Sequence, residues 1–512
     1  MTSGHLEIET KYDVGEDFGL PAMEGLDGVA SVDPPVEHGL EAVYHDAADL
    51  RLLRARVTLR RRTGGPDAGW HLKLPAGTAR RELHAPLGRS TQKPPPALVA
   101  PIVGVLRGAS TAPVATLRTR RLVTLLRDAE DRVLAEIADD TVTATAPAQD
   151  PSRPAEVHTW REVEVELQDG DAALATEVGE RLMAAGARPS ASASKIGRVL
   201  AGRLTEGEGP EPAPGQNGQG AGEFVLAALR EQLAGLQAAD VLLRTEQPDA
   251  VHQVRVAARR LRSTLAAFRA VLDRAVTDPV RDELAWLGGE LAEARDDEVA
   301  LAHLRAVVAE EPEELVLGPV AARLQQLQLR EERAGLDRAL STLAGPRYLG
   351  LLDALHGLTV DPPFTDEAAG RLEPVLQNAV RGSVRRLRRH IRNARRASDD
   401  ERREALHAVR KAAKRVRYAT ETAAPELGGA KDVVRAAKRI QKVLGEVQDT
   451  ALTRELCRRS GVAAFAQGEN PFTFGRLHAL EQARAERGEQ AFWTLEPKVR
   501  RVLKRAARQL AS

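Results

Sequence analysis

The stretch from residue 6 to residue 11, LEIETK, places acidic residues at alternate positions and follows them with a lysine. Successive side chains of a β-strand point to opposite faces, so Glu7, Glu9 and Lys11 would share one face. Two carboxylates about 7 Å apart, with an ammonium beside them, can hold a hard divalent cation and a phosphate together. The alternative for a single strand of this kind is a half-buried strand whose charged face lies in water.

Later segments repeat the alternation with the complementary charge. Arg60 and Arg62 share a face of one predicted strand, and Lys73 lies on the next. The GGPD sequence at residues 64–67 separates these two strands and predicts a hairpin turn. Arg118 and Arg120 place two more arginines on one face of a further strand.

A last predicted strand carries three acids on one face, Glu162, Glu164 and Glu166, opposite an apolar face. If the charged faces of these strands point outward, the first 203 residues form an antiparallel sandwich with a charged surface. If they point inward, the strands enclose a polar bore in which the acids bind metal and the bases bind the oxygens of a polyanion. Periodicity alone leaves both arrangements open.

The pattern changes after residue 203. Residues 204–222 are rich in Gly, Pro, Glu and Gln and predict a flexible tether. From residue 223 to residue 512 the apolar residues follow helical periodicity. The sequence therefore predicts an α+β protein with a β domain at 1–203, a linker at 204–222 and an all-α domain at 223–512.

The helical half contains an internal repeat. In each copy a histidine is followed by cations at i+3, i+7 and i+10, positions that form one stripe on an α-helix. Each stripe precedes a similar helix, LAEARD at 291–296 and LGEVQD at 444–449, which predicts a duplicated helical unit. The two stripes are His252, Arg255, Arg259 and Arg262, and His407, Arg410, Lys414 and Arg417.

A basic helical stripe is usually a solvated face with acidic partners at i+4, and histidines at a helix start are often buried imidazoles. These stripes lack such acids in the sequence, and residues 381–396 add eight arginines without one acid. Stacked cations repel one another unless an anion neutralises them, which favours a linear polyanion as ligand. Aromatic residues that could stack on bases are few, which disfavours nucleic acid.

The whole-chain composition adds limits. The 74 basic and 73 acidic residues nearly cancel. A single cysteine, Cys457, excludes an internal disulfide framework and fits a reducing compartment. No signal segment is visible, and no apolar run approaches the roughly 20 residues of a membrane span, so we expect a soluble cytoplasmic protein.

The first half resembles the CYTH family, the triphosphate tunnel enzymes. EIETK at 7–11 matches the family's ExExK signature, and the match continues through YHD at 44–46, LRRRT at 59–63, WHLKLP at 70–75, EVEVEL at 162–167 and SK at 194–195. Two positions depart from the family pattern: His45 replaces a common tyrosine and Ala47 a common threonine.

The CYTH resemblance implies an antiparallel β tunnel that binds a triphosphate with Mg²⁺ or Mn²⁺. It implies metal binding or water positioning by Glu7, Glu9, Glu164 and Glu166, with Glu162 on the same face. It implies phosphate contacts from Lys11, Arg60, Arg62, Lys73, Arg118, Arg120 and Lys195.

The second half, from about residue 224 to residue 510, resembles the CHAD domain, a helical module that often follows CYTH. This resemblance implies binding of inorganic polyphosphate by the eight stripe residues. Together the two halves predict a hydrolase of inorganic triphosphate coupled to a polyphosphate-binding module, with association with polyphosphate granules as a further expectation. The alternatives are a non-catalytic polyphosphate-binding protein and a hydrolase of nucleoside or thiamine triphosphate.

Overall fold

The computed structural model describes residues 3–76, 79–88, 93–148, 154–192, 194–205, 220–424, 427 and 430–509, with the backbone alone for residues 3–7, 205, 293–298 and 509. Contacts between residues divide the chain into two compact units, 1–210 and 211–512. Most of the predicted tether at 204–222 lies outside the described residues. No described helix is both long enough and apolar enough to cross a membrane.

The described part of the first unit contains ten strands and six short helices. The strands are β1 (Ser3–Val14), β2 (Ser31–Val32), β3 (Val36–Asp46), β4 (Thr58–Thr63), β5 (Gly69–Ala76), β6 (Ala79–Ala85), β7 (Ala112–Arg127), β8 (Val133–Ala146), β9 (Glu156–Leu167) and β10 (Arg188–Pro189). The helices are α1 (Arg51–Arg54), α2 (Pro96–Val99), α3 (Val103–Leu106), α4 (Ala172–Ala184), α5 (Lys195–Val199) and α6 (Ala201–Thr205).

Eight of these strands close into an antiparallel barrel. Their order is β1-β6-β5-β4-β3-β7-β8-β9, and β9 pairs back onto β1. The closing pair aligns Glu9 with Glu166 and Lys11 with Glu164. The predicted antiparallel barrel is therefore confirmed, and of the two arrangements that periodicity allowed, the strands enclose a lumen.

The outer face of the barrel is apolar where α4 covers it. Val163 and Val165 of β9 pack with Leu174 and Val178 of α4 in one buried cluster. Asp171 starts the helix by accepting hydrogen bonds from two backbone amides of its first turn. Because this side of β9 is buried under a helix, the alternate positions of the strand must face the lumen.

His45, a departure from the family pattern, lies on β3 and is buried against Trp70, with ring centroids 4.9 Å apart. Burial, together with the charge of Arg61, lowers the pKa of His45 to about 4. The unfolded chain therefore binds a proton more readily than the folded one. The stability that neutral His45 contributes is present above its ordinary pKa and is lost as the pH falls toward 4.

We expect His45→Phe to reduce the loss of unfolding free energy between about pH 7.5 and about pH 5 by roughly 2 kcal/mol. Urea unfolding of the full chain, with hydrogen exchange of the barrel amides as the probe, measures this difference. His158→Gln, at a more exposed histidine of β9, is the control for removing a histidine from the barrel. Equal acid sensitivity of His45→Phe and the wild type would contradict the prediction.

The second unit is helical throughout its described part. Its ten α-helices are α7 (Ala221–Arg244), α8 (Ala250–Ala267), α9 (Arg274–Glu290), α10 (Ala292–Glu310), α11 (Val320–Ala344), α12 (Pro346–Val360), α13 (Leu372–Arg396), α14 (Asp399–Ala423), α15 (Ala430–Ala466) and α16 (Phe472–Gln509). One large apolar core joins most of them, and a smaller core lies between α10, α11, α15 and α16.

The two copies of the predicted repeat make corresponding contacts. Arg255 of α8 donates a hydrogen bond to the carbonyl of Ala292, 3.3 Å away, at the start of α10. Arg410 of α14 lies against Gly445 of α15, where an added Cβ would be 3.1 Å from its guanidinium. Ala292 and Gly445 occupy the same position of the LAEARD and LGEVQD segments. The two stripe helices, α8 and α14, also contact each other.

Candidate functional site

The barrel encloses a cavity of about 610 Å³ into which side chains of both charges point. The acids and bases come from different strands, so the closed sheet brings together groups far apart in sequence. The charged lining residues are Glu9, Lys11, Arg60, Arg62, Lys73, Glu82, Arg121, Glu136, Glu164, Glu166 and Lys195, with Asp33, Asp67 and Arg80 also on the cavity wall.

Three carboxylates form a row across one side of the lumen. Strand register places Glu166 of β9 between Glu9 of β1 and Glu136 of β8. Burial raises the pKa of Glu166, and although Lys73 lowers it, Glu136 and Glu9 raise it further. This mutual repulsion is what a divalent cation bound by carboxylate oxygens would relieve. The donor set of this row therefore fits a hard metal ion.

Glu164 has a different environment. Its carboxylate contacts Lys11, Lys195 and Arg121, with Lys195 Nζ at 2.7 Å and an Arg121 nitrogen at 2.8 Å. Burial opposes ionisation of Glu164, but these three cations hold its pKa well below the usual range. Glu164 is thus a carboxylate already neutralised by protein cations.

A second group of acids, Asp140, Glu162 and Glu164, has carboxylate oxygens within 4.8 Å of one another and could hold a metal ion. Lys195 Nζ, however, lies 2.9 Å from Asp140, 2.6 Å from Glu162 and 2.7 Å from Glu164. Lys195 is the first residue of α5, which Ser194 caps through the amide of Gly197. Lys195 thus contacts every acid of this triad, whereas in the row of Glu9, Glu136 and Glu166 the cations lie farther away, at 3.2 and 4.0 Å from Glu9 and 3.9 Å from Glu136. The row therefore fits a metal better.

Arginines gather in another part of the lumen. Burial lowers the pKa of the Arg62 guanidinium, and the charges of Arg60 and Arg121 lower it further. Arg62 also pairs with Asp67 in the turn that joins β4 and β5, and Arg60 donates a hydrogen bond of 3.4 Å to the Tyr44 hydroxyl. Guanidinium groups that repel one another in a buried space attract an anion such as phosphate.

The prediction that Arg118 and Arg120 contact ligand inside the tunnel is wrong. Both lie on the outer surface, where Arg118 pairs with Glu41 at 2.9 Å and Arg120 with Glu37 at 2.7 Å. Their side chains are 77% and 59% exposed. Arg121, the next residue, faces the lumen and contacts Asp140 at 2.7 Å.

The error is a shift of one residue in the alternation of β7. Buried Leu126 belongs to the outer core beneath α4, and counting back in steps of two from it gives Arg120 and Arg118 on the same outer face. Leu117 faces the lumen, but an apolar residue at that position resembles a core residue. The sequence pattern therefore did not reveal which face of β7 points into the lumen. A one-residue shift moves every side chain of a strand to the opposite face.

The remaining predicted lumen residues fall into two groups, and the structure adds three that were not predicted. The structure brings Glu9, Lys11, Arg60, Arg62, Lys73, Glu164, Glu166 and Lys195 together in the cavity wall. The side chain of Glu7 lies outside the described residues, although its backbone pairs with Arg80 of β6. The sequence reasoning missed Glu82, Glu136 and Arg121 as lumen residues, although the alternation of β6 and β8 could have indicated the first two.

In the helical unit, a basic groove of about 360 Å³ lies among α8, α9 and α14. Three predicted stripe residues line it, and three further cations that the sequence reasoning missed lie with them. The lining residues are Arg259, Arg262, Ser263, Ala266, Arg281, Lys411, Lys414 and Arg415.

The cations of this groove lie close enough to repel one another. Burial lowers the pKa of Arg415, and the charges of Arg386, Arg262 and Arg281 lower it further. Arg386 belongs to α13, so the positive field extends from the groove to the arginine-rich helix. A concave surface of one charge sign concentrates polyanions.

The other stripe residues make contacts within the protein. Arg255 and Arg410 contact the helix that follows in each copy, as described above. Arg417 stacks on Tyr418 at 4.4 Å and pairs with Glu421 at 3.5 Å, so the expectation that the stripes lack acidic partners at i+4 is wrong at this position. Burial and Lys411 lower the pKa of His407, although a hydrogen bond with Gln448 raises it. His252 lies on α8 one turn before Arg255.

Comparison with known proteins agrees with both units. Residues 5–198 match the CYTH domain and residues 227–458 match the CHAD domain. Two uncharacterized proteins of Mycobacterium tuberculosis, from strains H37Rv and CDC 1551, are each 39% identical over 502 residues, which cover 94% of this chain and 94% of the relative. The chain belongs to the family in which a CYTH domain is followed by a CHAD domain.

Solved structures that resemble parts of the chain include PptA from Streptomyces chartreusis, with 22% identity, a TM-score of 0.45, and coverage of 54% of this chain and 99% of that one. The CHAD domain from Ricinus communis has 25% identity, a TM-score of 0.42, and coverage of 56% and 92%. A putative adenylyl cyclase from Hippeastrum, described as having a dominant triphosphatase activity, has 15% identity, a TM-score of 0.23, and coverage of 38% and 96%.

The contacts of Lys195 predict a large effect on stability. Lys195→Ala would leave three buried carboxylates without their ammonium, and we expect the free energy of unfolding of the barrel to fall by about 3–5 kcal/mol. Mg²⁺ or Mn²⁺ should restore part of this loss, because the vacated triad then offers a metal three carboxylates. Thermal unfolding with and without chelator measures both effects.

The control for this prediction is Arg198→Ala, one turn further along α5, where the side chain pairs with Asp13 and lies over Trp160. A partly exposed pair of this kind contributes about 0–1 kcal/mol. A Lys195→Ala variant as stable as the wild type would contradict the assignment of Lys195 as the counter-ion of the triad.

Proposed function

We propose that the barrel hydrolyses inorganic triphosphate in its lumen with bound Mg²⁺ or Mn²⁺. The observation that carries this proposal is the pairing of a repelling carboxylate row with a repelling arginine group inside one closed cavity. The first favours a further cation and the second an anion, and a metal–triphosphate complex supplies both.

Each group has a proposed role. Glu9, Glu136 and Glu166 would hold the metal, with Glu7 two residues before Glu9 on the same strand. A bound divalent ion would neutralise phosphate charge and lower the pKa of a coordinated water. The phosphate contacts would be Lys11, Arg60, Arg62, Lys73, Arg121 and Lys195. Glu164 would act differently from the family expectation, by orienting Lys11 and Lys195.

The cations would do most of the catalytic work. Hydrolysis of a phosphoanhydride spreads charge over the transferred phosphoryl oxygens, and fixed cations stabilise that charge without reorganising. Burial of the arginines inside a protein wall strengthens their interaction with phosphate relative to water. The ion pairs that already fix Lys11, Arg121 and Lys195 keep these groups in place before substrate binds.

A second candidate substrate is an organic triphosphate. Part of the lumen wall is apolar, formed by Leu40 of β3 and by Leu117, Val123 and Leu125 of β7. This surface could contact a nucleobase or a thiamine ring, whereas inorganic triphosphate has no group to place there. Initial rates on inorganic, nucleoside and thiamine triphosphates and on long polyphosphate, compared at equal metal concentration, distinguish the two candidates.

We also propose that the groove among α8, α9 and α14 binds linear polyphosphate. Its cations lie on three helices and face one another across a concave surface, which suits a flexible phosphate chain better than a single anion. A tethered binding module would raise the concentration of phosphate chains near the barrel. The rival is a non-catalytic receptor whose barrel only clamps a chain end.

Neighbouring arginines of β7 provide a matched test of the lumen. Arg121→Gln should lower kcat/KM for inorganic triphosphate at least about 100-fold, since a fixed cation is removed from the transition state. Arg120→Gln, on the outer face, should stay within about 2-fold of wild type. Arg121→Lys keeps the positive charge. Activity retained by Arg121→Lys would show that the loss in Arg121→Gln comes from the missing charge and not from a loss of fold. Equal effects at the two positions would contradict the site.

Glu9→Gln tests whether the barrel is an enzyme. With Mg²⁺ or Mn²⁺ present, we expect it to lower phosphate release from triphosphate at least about 100-fold, because it removes a proposed metal ligand and a partner of Lys11. Release by the wild type no greater than by this variant would favour the receptor.

Charge reversal tests the helical groove in the full chain, with Glu9→Gln present in every sample to prevent turnover. Arg262→Glu and Lys414→Glu should each weaken binding of long-chain polyphosphate and reduce the salt dependence of log K by about 1. Arg458→Glu, on the exposed face of α15, is the control. Tighter binding of single-stranded nucleic acid than of polyphosphate at equal ionic strength would contradict the ligand.

A further inference from the structure

Two lumen residues outside the proposed machinery form a short contact. His71 of β5 and Glu82 of β6 are 3% and 4% exposed, and His71 Nδ1 lies 2.5 Å from Glu82 Oε1. The other ring nitrogen, Nε2, lies 2.9 Å from the backbone carbonyl oxygen of Asp67. Both ring nitrogens therefore have fixed partners.

The partner of Nε2 determines where one proton must be. A backbone carbonyl can only accept a hydrogen bond, so Nε2 carries a proton. A neutral imidazole then has a lone pair on Nδ1, and an ionised carboxylate would present another lone pair to it at 2.5 Å. These lone pairs would repel, so a second proton lies between His71 and Glu82.

Charged and titratable groups surround the pair. Arg60 of β4 is 3.9 Å from Glu82, Lys73 of β5 is 3.7 Å from it, and the His84 ring of β6 lies 4.9 Å from that of His71. The Asp67 carboxylate on the preceding turn pairs with Arg62. Together these cations, this acid and this second imidazole determine whether the His71–Glu82 pair keeps its proton.

These surrounding groups disfavour a fully charged imidazolium at His71. The pKa of His71 is lowered to about 4, because burial and the charges of Arg60 and Arg62 outweigh the hydrogen bond and the charge of Glu82, which raise it. The extra proton is consequently a property of the pair, shared between imidazole and carboxyl, and its loss is a single step for both residues.

We propose that the His71–Glu82 pair stores one proton in the lumen and so keeps Arg60 and Lys73 available for phosphate. This rests on the proposed function of the lumen as a phosphate site. If the pair loses its proton, Glu82 carries a full negative charge within 4 Å of both cations and competes with phosphate for them. The pair is a positioning device, and phosphate affinity falls as the pH rises through its deprotonation.

Three variants isolate this effect. His71→Gln cannot store the proton and leaves Glu82 ionised, so we expect metal-free inorganic triphosphate to bind about 10-fold more weakly at neutral pH. Glu82→Gln donates an amide hydrogen to Nδ1 without adding charge, and should bind within about 3-fold of wild type but lose the alkaline weakening. The double variant His71→Gln/Glu82→Gln removes the competing charge and should recover most of the affinity.

Isothermal titration calorimetry of the full chain across neutral and alkaline pH measures these affinities, with thermal unfolding as the check on folding. Nitrogen-15 NMR of labelled histidine, with His71 identified by its loss in His71→Gln, should show protonated Nε2 and a hydrogen-bonded Nδ1 at neutral pH. An unweakened His71→Gln variant, a double variant no tighter than it, or an isolated titration of His71 would overturn the proposal.

Binding and hydrolysis are separable in this experiment. If the variants follow the expected order of affinity but the wild type releases no phosphate, the proposed hydrolysis fails while the role of the pair is supported. If triphosphate does not bind to the wild type at any pH, the proposal for the pair is overturned as well.

Discussion

The pairing of β9 with β1 is the constraint on which the rest of the first unit depends. It converts an eight-strand sheet into a closed wall and sets Glu9 beside Glu166 and Lys11 beside Glu164. Without this closure the charged faces would be solvated, and water would screen their interactions. With it, the acids and bases lie in a confined space largely shielded from bulk water, where each unpaired charge has a large energetic effect.

The strand register distributes opposite charges unevenly inside the barrel. Lys195, Arg121 and Lys11 neutralise one set of carboxylates, whereas Glu166 lies among acids and Arg62 among arginines. Balanced ion pairs hold the wall in shape, and the unbalanced groups define where a ligand gains the most. Lys11, Arg121 and Lys195 serve both purposes in the proposed site, because their ion pairs fix them where a phosphate would bind.

The sequence predicted much of this arrangement because a closed barrel preserves period two. Glu9, Lys11, Arg60, Arg62 and Lys73 reach the lumen as their alternation indicates. Arg118 and Arg120 failed because β7 carries arginines on both faces, and only the outer core around Leu126 fixes its phase. The contact of His71 with Glu82 depends on the register between strands, which alternation within one strand does not determine.

The sequence predicted the helices of the second unit better than it predicted which of their cations line the groove. Periodicity and the repeated stripes identified α8 and α14, since amphipathic patterns are local. Which face of a stripe meets a neighbouring helix depends on tertiary packing, and so Arg255 and Arg410 became packing residues while Arg281 and Arg415 entered the groove. Residues on α9 lie outside either stripe, and no local pattern links them to α14.

The contact of Arg410 with Gly445 has a consequence for how the two copies of the repeat can change. The first copy has Ala292 where the second has Gly445, and a methyl group at 445 would approach the arginine to 3.1 Å. A segment copied from the first repeat into the second would bring an alanine to position 445, and the Arg410 guanidinium would have to move by a few tenths of an ångström to admit it. Exchange between the two copies is therefore limited at this position by the room that Arg410 can make.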